Sequence, residues 1–114
     1  MDEIFAKVQQ IQTYYNQLIT LEMDEETQED ASEIKLAADN LLNQLNLVKS
    51  LKPEEYPKSI VHDLRSPVGG ISGFAEIMLD ADPLTDEQVT IVESIHAIAV
   101  ELRDMVTSHF RQEH

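Results

Sequence analysis

Apolar side chains recur at every third or fourth position over most of the 114-residue chain. This spacing places them on one face of an α-helix, and the alternation typical of β-strands is absent. The first stripe predicts a helix over about residues 2–23, and the second predicts a helix over about residues 29–51. The two stripes consist of Ile4, Val8, Ile11, Tyr15, Leu18 and Leu21, and of Ile34, Ala38, Leu41, Leu45 and Val48.

An acidic segment without any apolar residue, residues 24–30, separates these two stripes. We interpret it as a solvated turn, so that residues 1–52 form a helical hairpin. The alternative is one continuous helix in a coiled-coil stalk, but that helix would lose its apolar seam for two turns.

The second half of the chain repeats this pattern after a short connection that contains Pro53 and Pro57. A third helix is predicted from about Lys58 to about residue 80. A fourth begins at Thr85, where Gln88 completes a capping box. Their apolar positions are Val61, Leu64, Val68, Ile71, Ala75 and Met78, and Ile91, Val92, Ile95, Ile98, Ala99, Leu102, Met105, Val106 and Phe110. We therefore predict an all-α fold with two helical hairpins, 1–52 and 53–114. They form a four-helix bundle either within one chain or by dimerisation.

The composition restricts the possible partners. The chain has 22 acidic and 8 basic residues, a net charge of -14 and no cysteine. Such a surface repels phosphate backbones and anionic lipids, so we expect neither nucleic acid nor membrane as a partner. The lack of cysteine excludes disulfides and thiolate metal sites. Apolar runs are short and the N-terminus is acidic, which favours a cytoplasmic protein over a secreted or membrane-spanning one.

One segment breaks the rules of helix composition. Pro67 and all three glycines, Gly69, Gly70 and Gly73, lie within the third predicted helix. Glycine costs about 1 kcal/mol and proline about 3 kcal/mol relative to alanine inside a helix, so the segment gives up roughly 6 kcal/mol of propensity. Sequences break local rules of this kind most often at functional sites.

A histidine lies one turn before this segment. At about 100° per residue, His62 points away from the apolar stripe, and Ser66 and the three glycines lie near the same direction. This predicts an exposed imidazole beside nearly bare backbone, which a partner could approach closely. The spacing of Gly69 and Gly73 fits close packing of two helices equally well.

The neighbours of His62 suggest chemistry at the imidazole. Asp63 can accept a hydrogen bond from one ring nitrogen and so leave the other as a nucleophile. Arg65 supplies a cation for an anion bound beside the ring. Pro67 has no N–H to bond the carbonyl of Asp63, so we expect the helix to bend there.

The sequence His-Asp-Leu-Arg-Ser-Pro at residues 62–67 resembles the H-box of the dimerisation and histidine-phosphotransfer domain of bacterial sensor histidine kinases. The resemblance extends over about residues 54–110 through Val68, Ile71, Gly73, Phe74, Glu76 and Leu79, and it does not include residues 1–52. It implies that His62 is phosphorylated and that Asp63 is the general base. Arg65, as the nearby cation, is then the candidate to balance phosphoryl charge. Ser66 would position water, although the family often has threonine or asparagine there.

The resemblance also implies partners. We expect two-component signalling or a phosphorelay, with a homodimer of hairpins and a response-regulator receiver domain that docks on the helix below the histidine. Gly69, Gly70 and Gly73 are then the candidate docking positions, and Pro67 matches the proline that bends the family's helix.

The chain also departs from the family pattern. Family kinases carry an ATP-binding domain with glycine-rich loops, whereas no glycine follows Gly73 here. We therefore expect no autonomous ATP-dependent kinase activity and no cofactor on this chain. A receiver domain or the ATP-binding domain of a histidine kinase would act on it, with Mg²⁺ supplied by that partner.

Two other functions are compatible with the sequence. A non-catalytic dimerisation or adaptor bundle would use its acidic N-terminal hairpin to bind a basic partner. A metal site would draw on His62, His96, His109 and His114, but no pair lies four residues apart on one helix face, so we predict none.

Overall fold

The computed structural model describes residues 1–111, which form four α-helices and contain no strand. The all-α prediction is confirmed. The helices are α1 (Asp2–Leu18), α2 (Glu25–Val48), α3 (Ile60–Ala81) and α4 (Asp86–Phe110), with a 3₁₀ turn at Pro53–Glu55 before α3. None of the helices in this part of the chain has the length and apolar character needed to cross a bilayer.

The four helices run alternately up and down in a bundle of 47 × 21 × 19 Å. Helices α1 and α3 each pack against both α2 and α4, so α1 and α3 lie diagonally opposite each other. Helices α1 and α4 are antiparallel, because Lys7 near the start of α1 pairs with Glu101 in the second half of α4 at 2.7 Å.

A single core runs through the bundle and draws on all four helices. Its largest fully buried side chains are Ile11, Leu18, Ile34, Leu41, Leu45, Leu64, Ile71, Met78, Ile95, Leu102 and Phe110. The predicted stripes therefore face the core, with Tyr15, Leu21, Val61 and Met105 only half-buried at its edge. Helices α1 and α2 cover the apolar face of the α3–α4 hairpin, so the bundle closes within one chain.

The first loop differs from the prediction. Helix α1 ends at Leu18 rather than near residue 23, and α2 begins at Glu25 rather than near residue 29. Asp24 is the N-cap of α2 and accepts a 2.8 Å hydrogen bond from the backbone N–H of Thr27. The acidic residues that follow lie in the first turn, where the helix dipole favours negative charge. Interpreting residues 25–30 as a turn was therefore wrong, and a continuous stalk is also excluded.

The predicted capping box at the start of α4 is confirmed. The backbone N–H of Gln88 donates to the Thr85 hydroxyl at 3.2 Å, and the backbone N–H of Thr85 donates to Gln88 Oε1 at 2.8 Å. The Gln88 side chain is only 2% exposed. Its Nε2 also donates to the carbonyl of Glu22 at 2.8 Å, which ties α4 to the loop between α1 and α2.

Candidate functional site

His62 lies in the first turn of α3 and its side chain is exposed. Leu64 and Ile71 on the same helix are fully buried, so the imidazole points away from the core as the periodicity predicts. Its ring makes no hydrogen bond or ion pair with any other residue between 1 and 111. The ring nitrogens of His62 are therefore open to an external reactant.

The segment before His62 fixes where α3 begins. The backbone N–H of Ile60 donates to the carbonyl of Pro57 at 3.1 Å, and helical bonding starts with Asp63 N–H to the carbonyl of Ser59 at 2.8 Å. The ring of Tyr56 packs on the buried ring of Phe110 with centroids 5.1 Å apart, which anchors this segment to α4. His62 thus lies near the positive end of the helix dipole, where a phosphoryl group is electrostatically favoured.

Asp63 is held by a residue that the sequence reasoning missed. The Ser59 hydroxyl donates to Asp63 Oδ2 at 2.8 Å, and the expected hydrogen bond between Asp63 and the His62 ring is not formed. Successive helix residues point about 100° apart, whereas residues four apart face each other. The spacing of Ser59 and Asp63 was the signal that could have revealed this contact.

Arg65 and Ser66 lie one turn below His62, and both side chains are exposed. The guanidinium of Arg65 is not within ion-pair distance of any carboxylate in residues 1–111. At about 100° per residue they flank the outward direction of His62. Arg65 lies towards the side of Glu76, which contacts His96 of α4, and Ser66 lies towards the side of Gly70, which contacts α2. This arrangement places a cation and a hydroxyl where they can contact an anion or water bound beside the imidazole.

Pro67 is buried within α3, which continues without interruption to Ala81. Because proline has no N–H, the carbonyl of Asp63 lacks its intrahelical donor. The bend expected at this position stays a prediction.

The three glycines of α3 lie in different surroundings. A Cβ on Gly69 or on Gly73 would meet no atom within 4 Å, whereas a Cβ on Gly70 would lie 3.4 Å from the Cβ of Ala37 in α2. Gly69 and Gly73 therefore leave an open outer face below His62. Gly70 lies at the α2–α3 contact, which fits the packing alternative for this glycine, and its expected role in partner docking stays a prediction.

Two of the other three histidines contact neighbouring side chains of the bundle. His96 Nε2 lies 2.9 Å from Glu76 Oε1 and links α4 to α3. The ring of His109 packs edge-on against Phe110 with centroids 4.7 Å apart, and burial lowers the pKa of His109. No three His, Asp or Glu side chains in residues 1–111 are arranged to hold a metal ion. His114 lies outside the described residues.

An acidic cluster occupies the opposite end of α3, about 30 Å along the helix axis from His62 at 1.5 Å per residue. Burial first, and then the neighbouring carboxylates of Asp30, Glu26 and Asp24, raise the pKa of Asp82 to about 6. Asp82 Oδ2 is buried and accepts no hydrogen bond. Protonation of Asp82 removes its charge from this cluster of carboxylates.

A helical hairpin with an outward histidine in the sequence His-Asp-Leu-Arg-Ser-Pro defines a phosphoacceptor type of site. Residues 58–108 match the family model of the His Kinase A (phospho-acceptor) domain, which confirms the resemblance seen in the sequence. This segment comprises α3 and almost all of α4, and it is similar to the phospho-acceptor domain of histidine kinases. Helices α1 and α2 lie outside the match. No curated protein and no solved structure matches the chain significantly.

Proposed function

We propose that the protein is a phosphoacceptor module of a two-component phosphorelay in which His62 receives a phosphoryl group and passes it on. The exposed His62 ring, which makes no hydrogen bond or ion pair with the other residues in 1–111, carries this proposal. The match of residues 58–108 to a phospho-acceptor domain supports it.

The chemistry proceeds by nucleophilic attack on phosphorus. The lone pair of the unprotonated ring nitrogen of His62 forms an N–P bond, and the bond between phosphorus and the donor oxygen breaks with its electron pair on the leaving group. The leaving group is a carboxylate when the donor is an aspartyl phosphate, and a nucleoside diphosphate when the donor is ATP. The proton on the other ring nitrogen then passes to a base, and the reverse sequence transfers the phosphoryl group onward.

Nearby side chains would assist these steps. Asp63 is the proposed base, and it reaches the ring by exchanging its hydrogen bond with Ser59 for one with His62. Arg65 would balance the charge of the phosphoryl oxygens. Ser66 would orient water when a phosphoryl group is hydrolysed rather than transferred.

The donor is a domain outside this bundle. All three glycines of the sequence lie within residues 69–73, so the described helices contain no glycine-rich nucleotide loop. We propose a receiver domain or the ATP-binding domain of a histidine kinase as the partner, with Mg²⁺ bound at the partner's phosphate site.

Phosphorylation of the purified chain tests this proposal. Receiver domains that have been phosphorylated with acetyl phosphate are mixed with the wild type, with His62→Gln and with His96→Gln. We expect acid-labile phosphate on the wild type and on His96→Gln, and none on His62→Gln. Equal labelling of His62→Gln would exclude His62 as the acceptor.

A non-catalytic adaptor is the second candidate, and the hydrogen bond between Ser59 and Asp63 favours it because it holds the proposed base away from the ring. The adaptor function would survive His62→Ala in the cell and would be lost when α1 and α2 are disrupted. The phosphorelay function would show the opposite response to His62→Ala.

A further inference from the structure

We infer that Ser59 is a positioning residue that controls when Asp63 can act as the base for His62. The serine hydroxyl holds the Asp63 carboxylate away from the imidazole, and the carboxylate becomes available when the hydroxyl turns to cap α3 instead. This inference rests on the proposed function. Ser59 lies outside the sequence His-Asp-Leu-Arg-Ser-Pro at residues 62–67.

The starts of α2 and α4 show what an N-cap side chain does in this chain. Asp24 caps α2 and Thr85 caps α4, with ψ angles of 171° and 166°. Each side chain accepts a hydrogen bond from the backbone N–H of the third residue of its helix, which is Thr27 in α2 and Gln88 in α4. The extended backbone at the cap residue brings the side-chain oxygen to that N–H.

Helix α3 departs from this pattern. Its N-cap residue is Ser59, a residue type that is well suited to capping. The ψ angle of Ser59 is 4° rather than extended, and its side chain makes no cap hydrogen bond. The third residue of α3 is His62, so the backbone N–H that lacks its side-chain cap belongs to the proposed phosphoacceptor itself.

The hydroxyl that does not cap the helix binds Asp63 instead. Ser59 Oγ donates a hydrogen bond of 2.8 Å to Asp63 Oδ2. In this conformation the Asp63 carboxylate makes no hydrogen bond with the His62 ring. Ser59 thus holds the proposed base in a position from which it does not serve the imidazole.

The turn before α3 maintains this conformation of Ser59. The backbone N–H of Ile60 donates to the carbonyl of Pro57 at 3.1 Å, and the ring of Tyr56 packs on Phe110 with centroids 5.1 Å apart. Rotation of Ser59 to an extended ψ angle reorients the Ile60 N–H and opens the first of these contacts. The connection between α2 and α3 is therefore the part of the chain that has to move before Ser59 can cap the helix.

Two arrangements of these groups follow. In the arrangement described above, Ser59 binds Asp63 and no base lies against the His62 ring. In the other, the Ser59 hydroxyl accepts from the backbone N–H of His62, and Asp63 accepts from the N–H of the ring. When the ring attacks phosphorus, the N–P bond forms, the bond from phosphorus to the donor oxygen breaks, and the ring N–H proton passes to the Asp63 carboxylate. Transfer assisted by Asp63 proceeds only from this second arrangement.

The expected effect is modest and has a diagnostic sign. Ser59 is exposed and Asp63 is half-buried, and one hydrogen bond between such groups shifts an equilibrium by about fivefold. A base that is available in only a fraction of the molecules lowers the rate by that fraction. Removal of the Ser59 hydroxyl should therefore raise the rate of transfer, whereas loss of a merely structural contact would leave it unchanged or lower it.

Single-turnover kinetics with variants of the full chain test the inference. Purified receiver domains are phosphorylated with acetyl phosphate, and the domain that labels the wild type fastest serves as the probe. We expect Ser59→Ala to raise the maximal rate about fivefold and to leave the half-saturating concentration of the receiver domain unchanged. Ser59→Thr keeps the hydroxyl donor and should restore the wild-type rate. The matched control is Ser32→Ala, because the Ser32 hydroxyl also binds a group four residues away, the carbonyl of Gln28, and lies in α2.

A second measurement needs no phosphoryl donor. NMR of the His62 ring nitrogens shows which of them carries the proton. Ser59→Ala should increase the tautomer whose N–H faces Asp63, and the double variant Ser59→Ala/Asp63→Ala should abolish both this change and the gain in rate. Circular dichroism should show wild-type helix content in every variant.

The outcomes separate the inference from the proposed function. A maximal rate for Ser59→Ala at or below that of the wild type, with unchanged ring tautomers, would overturn the inference. The proposed function would stand, because His62 is still labelled. If no receiver domain labels the wild type, or if His62→Gln is labelled equally, both the proposed function and the inference fail.

Discussion

Gly70 of α3 lies against Ala37 of α2, where a Cβ on the glycine would stand 3.4 Å from the alanine Cβ. Gly69 and Gly73 on the same helix face open space. One glycine therefore allows the two hairpins to pack closely, and the other two keep the outer face below His62 bare. The three positions should respond differently to substitution.

Substitutions at the three glycines test this division of roles. Gly69→Ala and Gly73→Ala should each raise the free energy of unfolding by about 0.5–1 kcal/mol, because alanine is the better helix former and its methyl group meets nothing. Gly70→Leu should lower it by about 1–3 kcal/mol, because the larger side chain collides with α2. Urea denaturation measures all three, and a Gly70→Leu variant as stable as the wild type would contradict the close approach of α2.

Gln88 should be the most sensitive polar residue of the bundle. Gln88→Ala removes the side-chain half of the capping box and the hydrogen bond to the carbonyl of Glu22, so we expect a loss of about 2 kcal/mol. The control is Thr85→Ala, which removes only the cap and should cost about 1 kcal/mol. Equal losses in the two variants would show that the hydrogen bond to Glu22 contributes nothing.

The titration of Asp82 should make the free energy of unfolding depend on pH. Its pKa is raised to about 6 in the folded chain, compared with about 3.9 when unfolded. The native state therefore binds the extra proton, and the resulting stabilisation is complete below about pH 4 and is lost as the pH rises through about 6. Because Asp82 is partly exposed and solvent screens its charge, we expect an effect on the order of 1 kcal/mol.

Asp82→Asn isolates this contribution. The amide can donate to Asp30 without a titrating proton, so the variant should be more stable than the wild type at pH 7, and the difference should shrink as the pH falls to about 4. Urea denaturation at several pH values measures it. Parallel stability curves for the two proteins would contradict a raised pKa at Asp82.

The molecular mass of the protein in solution tests whether the four-helix bundle forms within one chain or between two chains. His Kinase A domains are dimerisation domains, and the sequence predicts a homodimer through the apolar face of the second hairpin. In the structure, α1 and α2 cover that face, so light scattering should give the 13.0 kDa of one chain. About twice that mass, stable on dilution, would show that hairpins pair between chains.

Apolar periodicity predicted all four helices because the core stripes of this chain are regular. Leu64, Ile71 and Met78, for example, all lie in the core as their spacing indicates. The start of α2 was missed because residues 25–30 have no apolar side chain, although Asp24 followed by acidic residues is an N-cap signal. The core contact there comes from Thr27, a polar residue that is 1% exposed.

The site was predicted in outline, and its details depended on tertiary structure. The outward direction of His62 follows from helix geometry alone, since it needs only the position of the apolar stripe. The difference between Gly70 and its neighbours depends on where α2 lies, which no pattern within α3 specifies. The four-residue spacing of Ser59 and Asp63 is enough to predict their hydrogen bond. The sequence equally allows a hydrogen bond between Asp63 and His62, and it does not show which of the two forms.

Site-resolved detection of phosphate on the chain tests the central claim most directly. The wild type and His62→Gln are each incubated with a phosphorylated receiver domain, and the modified residue is located by mass spectrometry under conditions that preserve phosphohistidine. The account predicts one phosphoryl group on the His62 ring of the wild type and none on the variant. Phosphate on another residue of the wild type, or the same amount on His62→Gln, would contradict it.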